Sequence, residues 1–239
     1  MNQRTGAKLS QSSRSGTLKE ISAFYSWLAD QPGYKSKITR SDIAYLSPDR
    51  KADAARRSSC WKPHPSPAQV DSLLAQMPIG TVLQRRDRAF VAFLFLTGSR
   101  ETAAISLKLR HIDLANACVH FNAPSVRTKF GKSFTTAFLP MGPLCEAIVR
   151  EWVAELRTQH QFSDSDPLFP RTRVVVGPRR RFEAVWIDRT PWAGPSSAAK
   201  IFKQAFINAG LPPFSPHILR DTLVELAKRY CRTPEDYKA

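Results

Sequence analysis

The sequence predicts a mainly α-helical protein with a small antiparallel β-sheet, an α+β fold split into a small N-terminal part and a larger C-terminal part. Three observations predict it. Apolar residues recur at helical spacing through most of the chain, with capping signals ahead of them. Two short runs of strand composition, residues 117–121 and 133–140, flank a turn at Gly131. A stretch rich in Ser, Pro and charge, residues 47–67, reads as a basic linker between the parts and divides the chain into 1–64 and 65–239.

Taken in order, residues 1–16 are Ser, Gln, Gly and basic residues and read as a polar arm. Thr17 and Glu20 are spaced as a capping box for a helix to about Ala29, in which Phe24, Trp27 and Leu28 need a partner surface. A short helix from Ser41 to Leu46 is the expected source of that surface. Beyond the linker, Ser66 and Pro67 start a helix carrying Val70, Leu73 and Leu74. The next helix, from about Arg85, is nearly all apolar past its first turn, which predicts the buried centre of the domain. Thr97 and Gly98 break it, and Arg100 opens a further helix through ETAAISLKL. The strand runs ACVHF and SFTTAFLP, with VRTKF between them, predict an antiparallel pair. Helices from Leu144 to Thr158 and from Ser196 to Asn208 follow, the second ended by Gly210. The segment between them, residues 171–192, fits no regular pattern.

The chain of 239 residues, 42% hydrophobic, is long enough for one substantial core and a smaller module. Its net charge of +16 is spread over both parts: 12 basic against 5 acidic residues before Ser66, and 24 against 15 after it. Such a spread favours a polyanionic partner, since each phosphate neutralised releases counterions. Cys60, Cys118, Cys145 and Cys231 have neither metal-site spacing nor disulfide density, so reduced thiols in a reducing cytoplasm, with no metal, are expected. No apolar run reaches the roughly 18 residues of a membrane span, and the first residues hold no signal-peptide core, so a soluble cytoplasmic protein without a membrane partner is expected.

Near the end of the chain, Ser215 and Pro216 start a helix whose apolar stripe is Leu219, Leu223, Leu226 and Tyr230. At roughly 100° per residue, Arg220 sits about 90° from the stripe and His217 about 150° from it, so neither belongs to the buried face. Both fall in the first turn, where free backbone N–H groups favour an anion. By itself an H-x-x-R pair reads more readily as a histidine that follows a cap and a solvated surface arginine than as a phosphate site. Thr233, Pro234, Glu235 and Asp236 then repeat the helix-start signal with only three residues after them, which reads as missing sequence.

The order of LTGSRETAAISLKLRHIDL, a basic hairpin with RTKFGK, and PHILRDTL resembles the active-site boxes of the tyrosine recombinases, the phage integrase family. The resemblance covers residues 68–239. It implies an integrase-type catalytic domain in which Arg100 and Arg220 hold the non-bridging oxygens of a scissile phosphate, a task suited to the permanently charged, forked guanidinium. It implies that a hairpin lysine protonates the leaving 5′ oxygen, with Lys129 the better match and Lys132 still open. His217 would move a proton at the attacked phosphate. The N-terminal part resembles an incomplete core-binding domain of the same family, with Arg56, Arg57, Lys62 and His64 as backbone contacts if the linker crosses a DNA strand.

The family's second His or Trp and its tyrosine nucleophile lie beyond the H-x-x-R helix, and Tyr25, Tyr34, Tyr45, Tyr230 and Tyr237 match neither. The expectation is therefore a recombinase fragment that binds double-stranded DNA, self-associates on it as relatives do in a tetrameric synapse, uses no cofactor, and does not cleave alone. The alternative is a naturally shortened, non-catalytic DNA-binding regulator on the same scaffold. A topoisomerase-like enzyme shares the Arg and Lys chemistry, whereas the aromatic, Gly-rich stacking motifs of RNA platforms are not found.

Overall fold

The computed structural model describes residues 6, 8–47 and 63–230. Arg56, Arg57, Lys62, Cys60, Cys231, the side chain of Tyr230 and the segment TPEDYKA lie outside the described residues. Two compact units are present, Met1–Lys62 and Pro63–Ala239.

In the first unit, helix α1 spans Gln11–Ala29 and starts seven residues earlier than a cap at Thr17 implies. The cap is Ser10, whose hydroxyl accepts from the Ser13 N–H at 3.0 Å, while the Thr17 hydroxyl donates back to the Ser13 carbonyl. Thr17 is thus an interior helix residue, and residues 11–16 are helical and not an arm. Helix α2, Arg40–Ala44, is set by a complete capping box between Thr39 and Asp42. It buries Ile43 but does not cover Phe24 and Trp27, which stay more than half exposed and touch each other at 5.9 Å between ring centroids.

The second unit is built around one helix. Helix α3, Pro67–Gln76, and helix α4, Val82–Thr97, each begin with a capping box, Ser66 with Gln69 and Thr81 with Gln84. Every residue of α4 from Ala89 to Thr97 is buried. Its aromatic side chains meet others edge-on: Phe90 against Phe169 and Trp192, and Phe93 against Phe169, all at 5.2 Å. Full burial of side chains this size stabilises the fold by about 1.5–3 kcal/mol each, so α4 is the centre of the domain, as its composition predicts. Helix α6, Pro143–Thr158, lays Ile148, Trp152 and Leu156 against it, and α7, Ser196–Asn208, adds Phe202 and Phe206.

Between α4 and α6 the chain forms helix α5, Glu101–Ala104, then strands β1 (Ile112–Asp113), β2 (Cys118–Phe121) and β3 (Phe134–Ala137), an antiparallel sheet in that order. The helix expected over ETAAISLKL stops after one turn. Leu107 and Leu109 are buried, Lys108 bridges Pro167, and Leu168 N–H donates to the Leu107 carbonyl, so packing of an extended segment overrides helix propensity there.

The unplaced segment is a long hairpin, β4 (Pro170–Val176) with β5 (Phe182–Pro191). Its base is held by Arg86, only 2% exposed, whose Nη1 donates to the Pro170 carbonyl and the Thr172 hydroxyl, both at 3.0 Å. The guanidinium also pairs with Asp87 at 2.7 Å and lies over the Trp192 ring, so its buried charge is both paired and hydrogen-bonded. Outward, the hairpin runs to Arg179, Arg180 and Arg181 at its turn.

The last helix, α8 (Leu219–Tyr230), is preceded by a 3₁₀ turn over Pro216–Ile218. His217 therefore stands in that turn and not in the α-helix, and the Ser215 side chain makes no capping bond. Leu219 is buried, Leu223 and Leu226 pack on the core, and the buried Thr222 hydroxyl donates to the Pro65 carbonyl at 3.1 Å.

Candidate functional site

Helix α4 ends where Gly98 takes the left-handed conformation at φ 58°, returning its N–H to the Leu94 carbonyl. Thr97 fixes the same turn: its hydroxyl donates to the Phe93 carbonyl, and the Ser99 N–H reaches that hydroxyl at 3.3 Å. This turn delivers Arg100, extended at φ −73° and ψ 143°, to the start of α5 with its side chain making no capping bond.

From the sheet side, β2 and β3 are tied back to this corner. Leu139 N–H donates to the Leu96 carbonyl at 2.8 Å, and Phe121 stacks on Phe134 at 4.7 Å. The loop joining the strands is fixed by Arg127, whose N–H donates to the Ser106 hydroxyl and whose Nη1 donates to the Ala193 carbonyl at 3.0 Å. His111 supports it from below. Its Nδ1 accepts from the Lys108 N–H at 2.9 Å, which leaves Nε2 to donate to the Ser125 hydroxyl at 3.0 Å. Burial first, then the neighbouring Arg110, Lys108 and His120, hold the His111 pKa below its ordinary 6.5.

The loop then turns through a 3₁₀ segment, Lys129–Gly131, where Phe130 has φ 63° and the Lys129 ammonium lies 4.8 Å from its ring. Against these two elements comes the first turn of α8.

The result is one cavity of about 310 Å³ lined by Arg100, Lys129, Lys132 and Arg220, with Thr97–Ser99, Thr128, Phe121, Phe134 and Thr136 completing the wall. Three chain segments far apart in sequence thus place four cations on one concave surface. Among the described residues, none of these four side chains has an ion-pair partner or a hydrogen bond. The Thr128 hydroxyl, buried in the wall, also has no hydrogen-bond partner among them. A larger cavity, about 630 Å³ between α3, α4 and α7, is lined mainly by apolar and amide groups and gathers no comparable set of charges.

Of the residues predicted to act on the scissile phosphate, Arg100, Lys129 and Arg220 line this cavity and His217 does not, nor does the linker contact His64. His217 is exposed on the turn three residues before Arg220. Thr128 and the Arg127 clamp carry no sequence signal of their own, whereas Phe134 and Thr136 follow from strand alternation, which puts i and i+2 on one face.

The match to a profile of the phage integrase family runs over residues 66–230, all three site segments included. The chain belongs to the phage integrase family. It is similar to tyrosine recombinase XerD of Pseudomonas putida, 26% identical over 201 residues that make up 81% of this chain and 58% of that protein. Among solved structures it is similar to XerH site-specific recombinase bound to a palindromic difH substrate in a post-cleavage complex, with a TM-score of 0.61 at 17% identity over 94% of this chain and 58% of that one. The Tn1549 transposon integrase in complex with circular intermediate DNA gives 0.50 at 13% identity, over 92% and 76%. The chain therefore spans less than two thirds of its XerD and XerH relatives. At these identities the structural likeness shows the fold, mainly α with small antiparallel sheets, as the sequence predicts.

Proposed function

We propose that the cavity binds one phosphodiester of double-stranded DNA, and that the chain is the phosphate-holding part of a site-specific recombinase that breaks and rejoins DNA strands. The observation that carries this reading is the convergence of Arg100, Lys129, Lys132 and Arg220 on one small concavity without a counter-charge among the described residues. Gathering four cations is unfavourable unless an anion joins them, and a phosphate group supplies both charge and acceptors.

Arg100 and Arg220 are assigned to the two non-bridging oxygens, each guanidinium donating paired hydrogen bonds. Lys129 is assigned as proton donor to the leaving 5′ oxygen, with Lys132 as its competitor on the same turn. The Thr128 hydroxyl is a further donor at the wall. His217, exposed on the turn ahead of Arg220, is assigned to give or take a proton at the attacked phosphate once DNA is bound. Among the described residues no tyrosine lines the cavity, so the roles given to this site are binding, orientation and proton transfer. Self-association on DNA and action in the cytoplasm belong to the same proposal.

The test is duplex-DNA binding by the chain and by R100A and R220A, as a function of salt. Each substitution removes one phosphate contact and is expected to lower the slope of log K against log salt by about 1. Unchanged affinity and slope in both variants would overturn the assignment.

A further inference from the structure

On the three-stranded sheet, three side chains of a different chemistry meet. The register pairs Asp113 of β1 with Cys118 of β2, and His120 with Thr135 of β3. Because side chains alternate along a strand, Cys118 and His120 share a face, and cross-strand pairing puts Asp113 and Thr135 on that same face. His120 Nε2 lies 3.7 Å from the Cys118 Sγ and 4.0 Å from Asp113 Oδ2, and one ligand atom from each of the three residues lies within 4.8 Å of the others.

We propose that Asp113, Cys118 and His120 form a binding site for a borderline-soft divalent cation of the zinc type, with solvent as the fourth ligand. A tetrahedral ion with bonds of about 2.0–2.3 Å holds nitrogen, oxygen and sulfur ligands about 3.3–3.6 Å apart, so the observed separations close onto an ion with shifts of about 1 Å or less. The imidazole is already oriented. Its Nδ1 lies 3.0 Å from the Thr135 hydroxyl, and donation there leaves the Nε2 lone pair toward the other two ligands, the outer-shell arrangement that metal-binding histidines use. Asp113 is equally fixed: Oδ1 accepts from the Ala115 and Asn116 N–H groups and Oδ2 from the Asn116 side chain, which leaves a lone pair on Oδ2.

The chemistry of the set selects the ion. A thiolate and an imidazole disfavour magnesium and calcium, which take oxygen ligands. Binding exchanges the Cys118 thiol proton for the metal, releasing one proton per ion, and the thiolate and carboxylate together cancel the charge of 2+. A neutral complex tolerates Arg110 and Arg157, which line the shallow groove beside it, and Arg157 is itself paired with Asp164 at 2.9 Å. The site lies on the two strands whose connecting loop carries Lys129 and Lys132, and Thr135 alternates with Thr136 of the phosphate cavity, so the two sites occupy opposite faces of one sheet.

The experiment is titration of the full reduced chain with cobalt(II), followed by displacement with zinc(II). Expected is a thiolate-to-cobalt charge-transfer band in the near ultraviolet that saturates at one ion per chain and disappears on adding zinc. C118S and H120A should abolish the band, D113N should weaken binding roughly tenfold, and C60S/C231S should keep it. Circular dichroism of each variant verifies folding. Absence of the band in the folded wild-type chain, or its persistence in folded C118S, overturns the site.

Discussion

Gly98 and Leu223 are in direct contact: a Cβ placed on Gly98 would stand 2.5 Å from Leu223 Cδ1. This one junction joins the turn that presents Arg100 to the helix that presents Arg220. The glycine is required twice, by its left-handed φ of 58° and by the leucine against it. G98A is expected to destabilise the domain by about 1–3 kcal/mol from the backbone alone, with a further overpacking penalty of about 1–3 kcal/mol. A double-mutant cycle in urea checks the pairing. L223A should remove most of the overpacking penalty of G98A and none of the backbone part, so the two substitutions should be non-additive.

What was legible in the sequence followed locality. The arginines at 100 and 220 and the lysines at 129 and 132 each sit beside a break that the sequence announces, the Thr97-Gly98 stop, the Gly131 turn and the Ser215-Pro216 start. Burial of α4 was equally readable from its unbroken apolar run. Hairpin β4–β5 was not. Register shifts between Pro170 and Thr172 and between Arg173 and Val174 break its alternation, and Val174, Val176 and Phe182 are exposed, so no period of two survives. The sequence does not distinguish the 3₁₀ turn that holds His217 from the first turn of an α-helix, because both start with the same residues. Strand β1 carries no sequence signal because it is two residues long and is created by pairing with β2.

The turn lysines can be separated by chemistry. In a strand-cleaving preparation, loss of a proton donor matters only while the leaving oxygen needs a proton, and replacing that 5′ oxygen with sulfur makes a leaving group that needs none. K129A is expected to lose cleavage of ordinary DNA by about 10²–10⁴-fold and to recover most of it on the sulfur-substituted strand. R100A and R220A, which act on the non-bridging oxygens, should lose about 10²–10³-fold on both substrates. Recovery in K132A and not in K129A would move the proton donor to Lys132.

Hairpin β4–β5 carries a second basic cluster. Its turn holds Arg179, Arg180 and Arg181, and among the described residues no ion pair engages them. If they lie along a DNA backbone, replacing all three with Ala should lower the slope of log K against log salt by about 3 and weaken binding to every sequence alike. Thermal stability should be unaffected, since the hairpin is anchored at its base through Arg86 and the core residue Ile187. Fluorescence anisotropy at a series of salt concentrations measures the slope, and calorimetry measures the stability.

His111 gives the fold a pH dependence with a defined sign. In the folded chain its Nδ1 accepts the Lys108 N–H, a bond that only the neutral ring can make, and burial together with Arg110, Lys108 and His120 depresses its pKa below 6.5. The unfolded chain then binds more protons than the folded one below about pH 6.5, so stability rises with pH through that window and is fully present above it. Acidification from pH 7 should lower the denaturation midpoint, and H111Q should flatten this slope because a glutamine does not titrate. The same variant tests the support of the cavity. Loss of the Ser125 contact frees the loop ahead of Lys129, so DNA affinity in H111Q should fall at neutral pH without a change in salt slope, whereas loss of a phosphate contact would change both.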